Sequence, residues 1–162
     1  GREVEQKEQA EFTELLQKYS SMVLRIAFSN VKNLQDAQDI AQEVFISVLT
    51  KRPQFDSEEH EKAWLIRVTI NRCKNHVKSF WNRHTEGLSE DLSYLPEEET
   101  GVMQAVLALP QNYRNVIHLH YYEGYSINEI AELLHKKPAT VGTWLARGRA
   151  ALKKSLKGGF DE

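Results

Sequence analysis

The sequence predicts an all-α protein: two small helical domains joined by a flexible acidic linker. Three observations predict it. Apolar residues recur at the helical 3.6-residue period along most of the 162-residue chain, and no useful length alternates as a strand does. The stretch from Glu86 to Glu99 holds six acids and no base, is poor in periodicity, and contains Gly87 and Pro96. The segment from Tyr125 to Leu156, YSINEIAELLHKKPATVGTWLARGRAALKKSL, reads as two short helices around a tight turn. The implied boundaries are a first domain at 8–84, a linker at 85–101 and a second domain at 102–157.

The first helix is expected from about Glu8 to Asn30. Phe12, Leu15, Leu16, Tyr19, Val23, Ile26 and Ala27 make one apolar stripe, and Asn33 is the expected break. A second helix, Gln35 to Thr50, repeats the pattern with Ala37, Ile40, Ala41, Val44, Phe45, Val48 and Leu49. Lys51 to His60 contains Pro53 and reads as a loop. A third helix is expected over 61–83. After the acidic stretch, short helices are expected at about 102–109, stopping at Pro110, and at about 112–122, ending near Gly124.

The last two helices carry the strongest local signals. Ser126 and Glu129 have capping-box spacing. Ile127, Ile130, Ala131 and Leu134 follow on one face; His135, Lys136 and Lys137 make the turn. Pro138 suits the first position of the next helix, where its missing N–H costs nothing. Val141, Leu145, Gly148 and Leu152 then face inward, leaving Thr140, Thr143, Trp144 and Arg147 outside. From Lys136 to Lys157 the chain has seven basic residues and no acid. This is the pattern of a helix-turn-helix, which places one helix in the major groove of DNA. A plain amphipathic hairpin with a solvated basic face is the alternative.

Composition, 41% hydrophobic and 27% charged, is that of a folded soluble protein. No apolar run approaches the roughly 20 residues of a membrane span. The polar start GREVEQKEQAEF is not a signal peptide, and its lack of Met suggests a trimmed or engineered beginning. A single cysteine, Cys73, rules out an internal disulfide and a Cys-based zinc site. These features suit the cytoplasm; no cofactor and no metal is expected. The net charge of −2 is unusual for a DNA binder, but the charge is segregated. Lys62 to His84 has six basic residues and no acid, next to the acidic stretch. Local fields follow such patches, not the total.

Two further ridges stand out. Asp36, Asp39 and Glu43 fall at i, i+3 and i+7 on the second helix. They offer a docking surface to a basic helix or coiled coil, or simply a solvated face. Arg67, Asn71, Lys74 and Lys78 form a positive ridge on the third helix, with Asn75 beside it. Lys and Arg neutralise phosphates, and Asn can read a base edge. Phe55 and Trp64, near the start of that helix, offer faces on which unpaired bases can stack, with a core role for Trp64 as the alternative. Catalysis finds no support. His118 and His120 point to different helix faces, and there is no phosphate-cradling Gly loop, zinc-protease motif or nucleophile elbow.

These pieces, in this order, resemble the bacterial extracytoplasmic-function sigma factors, the two-domain members of the primary sigma superfamily. DAQDIAQEVF, Asp36 to Phe45, resembles the family's polymerase-docking helix. AWLIRVTINRC, Ala63 to Cys73, resembles its promoter −10 helix. Leu109-Pro110, Tyr113-Arg114, Tyr125 to Leu134 and Thr140 to Leu152 resemble its −35 helix-turn-helix domain. The resemblance implies a promoter-specificity subunit that is not an enzyme. Asp36, Asp39 and Glu43 would bind the clamp helices of the largest polymerase subunit. Phe55, Trp64, Arg67, Asn71, Lys74, Asn75 and Lys78 would engage the −10 element and help open it. Lys136, Lys137, Thr140, Thr143, Trp144, Arg147, Arg149 and Lys153 would meet −35 DNA, with Arg147, Arg149 and Lys153 on phosphates. The second domain would also touch the polymerase flap, and an anti-sigma protein would hold the factor inactive until an envelope or stress signal. The chain departs from the family's usual residues at His135, where Gly is common, and at Lys137, Gly142 and Trp144, so −35 preference does not transfer. The main rival is a stand-alone helix-turn-helix regulator, which leaves the first domain's two ridges unexplained. An adaptor that makes only protein contacts is a second rival, and it needs no DNA surface.

Overall fold

The computed structural model describes the backbone of residues 1–83 and 100–160 and the side chains of residues 1–76 and 101–156. Every regular element in it is a helix. They run α1 (Arg2–Val31), α2 (Leu34–Lys51), α3 (Glu58–Arg83), α4 (Thr100–Leu107), α5 (Gln111–Ile117), a single π-helical turn (His118–Tyr122), α6 (Ile127–Leu134) and α7 (Pro138–Phe160). The chain divides into two compact units, one built from α1 to α3 and the other from α4 to α7. The acidic stretch 85–99 lies outside the described residues.

In the first unit α1 packs along α3. The core joins Val23, Ile26 and Ala27 of α1 to Ala37, Ile40 and Val44 of α2 and Leu65, Ile66, Ile70 and Cys73 of α3, all essentially without solvent exposure. The expected stripe on α1 is real but incomplete: Phe28 and Val31 are also buried, so the end of α1 is enclosed on more than one face. The break before α2 falls on Lys32 and Asn33, and Lys32 takes the left-handed conformation (φ 60°). On α2 the expected stripe overreaches at Leu49, which is half exposed.

α3 begins three residues earlier than expected. The Ser57 hydroxyl accepts a hydrogen bond from the His60 N–H (3.1 Å), as an N-cap does, and Glu58, Glu59 and Glu61 sit in the first turn, where the helix dipole favours acids. Lys18 of α1 donates to Glu58, tying this end of α3 to α1. The bond raises the pKa of Lys18 above its ordinary value, because it favours the charged amine.

The second unit closes around Leu107, Leu109, Val116, Leu119, Ile130, Val141 and Leu145. Arg114 is buried and aims Nε and Nη2 at the Leu109 carbonyl (3.3 and 3.1 Å), fixing the chain just before Pro110. Gly148 lets α7 approach α5: a Cβ there would lie 3.0 Å from Ile117 Cγ1. The helix expected over 112–122 is α-helical only to Ile117 and then widens into the π-turn. His118 stacks on Tyr122 and lies 3.4 Å from Glu123, whereas His120 Nδ1 lies 2.7 Å from the Tyr125 carbonyl. The two histidines thus go to different partners, as their spacing requires.

Candidate polymerase and nucleic-acid interfaces

The helix-turn-helix is built by local chemistry. The Ser126 hydroxyl accepts from Glu129 N–H (3.1 Å) while the Glu129 carboxylate accepts from Ser126 N–H (2.9 Å), completing the capping box. The bond from the Ser126 N–H favours the charged carboxylate, so the Glu129 pKa is lowered, chiefly by this backbone donor. α6 ends at His135, which sits in the left-handed region (φ 55°, ψ 47°), and Lys136 N–H closes back onto the Ala131 carbonyl at 2.8 Å. This is the conformation for which a glycine is suited, and the imidazole occupies it at a backbone cost. Pro138 opens α7.

The inward faces differ in detail from the sequence pattern. Val141, Leu145 and Gly148 are buried as expected, and Leu152 is half-buried. On α6, Ile130 and Ala131 are buried, but Ile127 is 37% exposed and Leu133 only 4%. Ile127 occupies the first turn of α6, while the Leu133 side is enclosed. Among the expected −35 contacts, Lys136, Lys137, Thr143, Arg147, Arg149 and Lys153 are exposed and Thr140 and Trp144 half-buried. Thr143 spends its hydroxyl proton on the Ala139 carbonyl (3.0 Å), which leaves its methyl and an oxygen lone pair outward. Arg149 differs from the other described cations of α7 in having a side-chain partner: its Nη1 donates to the Tyr121 hydroxyl at 2.9 Å.

The acidic ridge on α2 is graded. Asp39 and Glu43 are exposed and Asp36 is half-buried. Two α3 side chains approach the ridge, which the sequence reading did not foresee. His76 Nε2 lies 3.4 Å from Asp36 Oδ2, an attraction when His76 is protonated but not aligned as a hydrogen bond. Arg72 lies 3.4 Å from Glu43 and donates to Ser47 Oγ at 2.7 Å. Arg72 therefore braces α2 against α3 instead of joining the positive ridge. Their i, i+4 spacing on α3 was the available signal, but it does not reveal which neighbour they meet.

On that ridge Asn71, Lys74 and Asn75 are exposed and Arg67 is half-buried; the Lys78 side chain lies outside those described. Phe55 is held edge-on to His60 (5.4 Å) and Trp64 (5.8 Å), and His60 Nδ1 accepts from the Asp56 N–H (3.1 Å). The loop before α3 is thus a fixed aromatic cluster, half exposed, and Trp64 belongs partly to its packing. Among the described residues no group of three or more His, Cys, Asp or Glu is placed to hold a metal ion.

Residues 15–83 match the family model for Sigma-70 region 2, and residues 100–152 match that for Sigma-70, region 4. The chain is 30% identical to the ECF RNA polymerase sigma factor SigW of Bacillus subtilis, across 96% of this chain and 94% of that one. It belongs to the ECF RNA polymerase sigma factors. The RNA polymerase sigma-H factor of Pseudomonas aeruginosa is 29% identical, across 90% of this chain and 86% of that one. The fold is that of the sigma factor RpoE of Bartonella quintana, solved in complex with the anti-sigma factor NepR (TM-score 0.77, 19% identity, 94% of this chain and 99% of that one). It is also that of CnrH, solved with the cytosolic domain of CnrY (TM-score 0.72, 23% identity, 95% and 91%). A sigma factor directs core RNA polymerase to promoter DNA at transcription initiation and is not itself an enzyme. In this sigma factor, the two matched regions fall within α1 to α3 and α4 to α7. No described helix is long and apolar enough to cross a membrane.

Proposed function

We propose a division of labour within this sigma factor. A region-2 domain at 8–84 and a region-4 domain at 102–157 flank an acidic linker at 85–101 that passes near the RNA exit path. Asp36, Asp39 and Glu43 dock on the clamp helices of the largest polymerase subunit, where an acidic ridge complements a basic coiled coil. Phe55 and Trp64, with Arg67, Asn71, Lys74, Asn75 and Lys78, take up the −10 element. Unpaired bases captured on an aromatic and amide surface replace lost stacking with protein contacts, so the duplex opens without ATP. Lys136, Lys137, Thr140, Thr143, Trp144, Arg147, Arg149 and Lys153 engage −35 DNA, while the same domain meets the polymerase flap. The protein works in the cytoplasm, under an anti-sigma protein that releases it on an envelope or stress signal.

The observation that supports this reading best is the capped helix-turn-helix, with its outer face exposed and basic, in the same chain as a separate unit bearing both an acidic and a basic ridge. A stand-alone regulator needs only the first of these. In vitro transcription tests it: core polymerase and this chain on a pool of randomised promoters, with sequencing of the transcripts. Start sites sharing −35 and −10 elements are expected only when the protein is present. No protein-dependent transcripts, with duplex binding retained, would favour the regulator.

A further inference from the structure

The cations of α7 do not form one face. At 3.6 residues per turn, Arg147 and Lys154, seven apart, lie on one stripe, and Arg149 and Lys153, four apart, lie on another. Arg147 and Arg149 are two apart, about 160° around the helix from each other. The buried residues Val141, Leu145 and Gly148 mark the inward pole, and exposed Thr143 lies near the outward one. The two cationic stripes therefore flank the outward face on opposite sides. The bond from Arg149 Nη1 to Tyr121 Oη places one flank beside the π-turn. Tyr121 is 57% exposed, and Lys153 and Lys154 are exposed as well.

A helix of 10–12 Å diameter nearly fills a major groove about 12 Å wide, so cations at its sides, not at its tip, meet the two phosphate backbones. From this we infer that α7 is clamped by phosphates on both strands, with two residues outside the expected −35 set taking part. Lys154 joins Arg147 on one strand. Tyr121 joins Arg149 and Lys153 on the other. The chemistry of the second group fits an anion. Arg149 donates to the Tyr121 oxygen, which leaves the phenol O–H free to donate to a phosphate oxygen, beside the unused guanidinium N–H groups. The tyrosine also sets the guanidinium in place, so the pair presents a fixed donor array. The π-turn delivers Tyr121 to this position from outside the helix-turn-helix itself.

This assignment rests on the −35 reading of the second unit. It is tested by phosphate-ethylation interference with the holoenzyme on a promoter fragment, comparing wild type with Tyr121→Phe, Arg149→Gln, Arg147→Gln and Lys154→Gln. Wild type should show interference on both strands of the −35 region. Arg147→Gln and Lys154→Gln should relieve it on one strand, Tyr121→Phe and Arg149→Gln on the other. Each lost cation should lower the slope of log affinity against log salt by about 0.9. Loss on the same strand for Arg149→Gln and Lys154→Gln, or an unchanged pattern for both Tyr121→Phe and Lys154→Gln, would overturn the two-strand clamp. Absence of −35 interference in the wild type would instead overturn the parent reading. Tyr121→Phe keeps the ring and its packing, so its effect isolates the hydroxyl.

Discussion

Two glycines in α7 should respond oppositely to the same substitution. A Cβ added at Gly142 meets nothing within 4 Å, and one added at Gly148 lies 3.0 Å from Ile117 Cγ1 and 3.2 Å from Cδ1. In both cases Gly→Ala removes the helix-interior penalty, about 1 kcal/mol. At Gly142 nothing opposes that gain. At Gly148 the added methyl enters a closed contact, because Ile117 is only 6% exposed and has little room to shift; overpacking of this kind costs about 1–3 kcal/mol. Gly142→Ala should therefore stabilise the second unit by about 1 kcal/mol, while Gly148→Ala should lie between neutral and about 2 kcal/mol destabilising. For a unit of this size 1 kcal/mol moves Tm by roughly 4–8 °C. Differential scanning calorimetry of the whole chain, fitted with one transition per unit, reads the shift. A rise for Gly148→Ala as large as for Gly142→Ala would refute the packing argument, and a fall for Gly142→Ala would refute the propensity argument. If Gly142→Ala stabilises the fold yet weakens −35 binding, the glycine is kept for close backbone approach to DNA.

Replacing His135 with Gly should raise the urea midpoint of the second unit by the equivalent of roughly 0.5–1 kcal/mol, since φ 55° strains an L-residue; an unchanged midpoint would mean the imidazole gains as much as the backbone loses. Ser126→Ala should cost about 1 kcal/mol by removing one side of the capping box. Glu129→Gln, which removes the carboxylate that accepts from the Ser126 N–H, should change the acid limb of stability. Glu129 has a lowered folded pKa, so its contribution is complete above the ordinary value of 4.5 and is lost as pH falls from there through the folded value. The wild-type stability advantage over Glu129→Gln should accordingly shrink on acidification, and a gap constant with pH would remove the Glu129 carboxylate from the account. Charge reversal at Asp39 and Glu43 should abolish co-purification with core polymerase while circular dichroism stays helical. Because Glu43 also pairs with Arg72 across α2 and α3, Asp39→Lys alone should separate docking from bracing.

Much of this molecule is local and is therefore written in the chain order. The 3.6-residue period located the helices, because a helix that must bury one face repeats its apolar residues at its own pitch. The Ser126–Glu129 box, Pro138 and the strained turn at His135 are decided by neighbours three or four residues away. The segregation of charge likewise needs no tertiary information, and with the order of the motifs it was enough to indicate the family. Only the tertiary structure decided which faces are covered and which cations stay available. Phe28 and Leu133 are buried, and Leu49 and Ile127 left out, by where other helices cross. Arg72 and Arg149 look alike in sequence, two cations on basic amphipathic helices. One is drawn to Ser47 and Glu43, 25 and 29 residues away, and the other to Tyr121, 28 residues away. Helical periodicity fixes a side chain's azimuth about its own axis, but its partner depends on how separate helices pack, which no local pattern encodes.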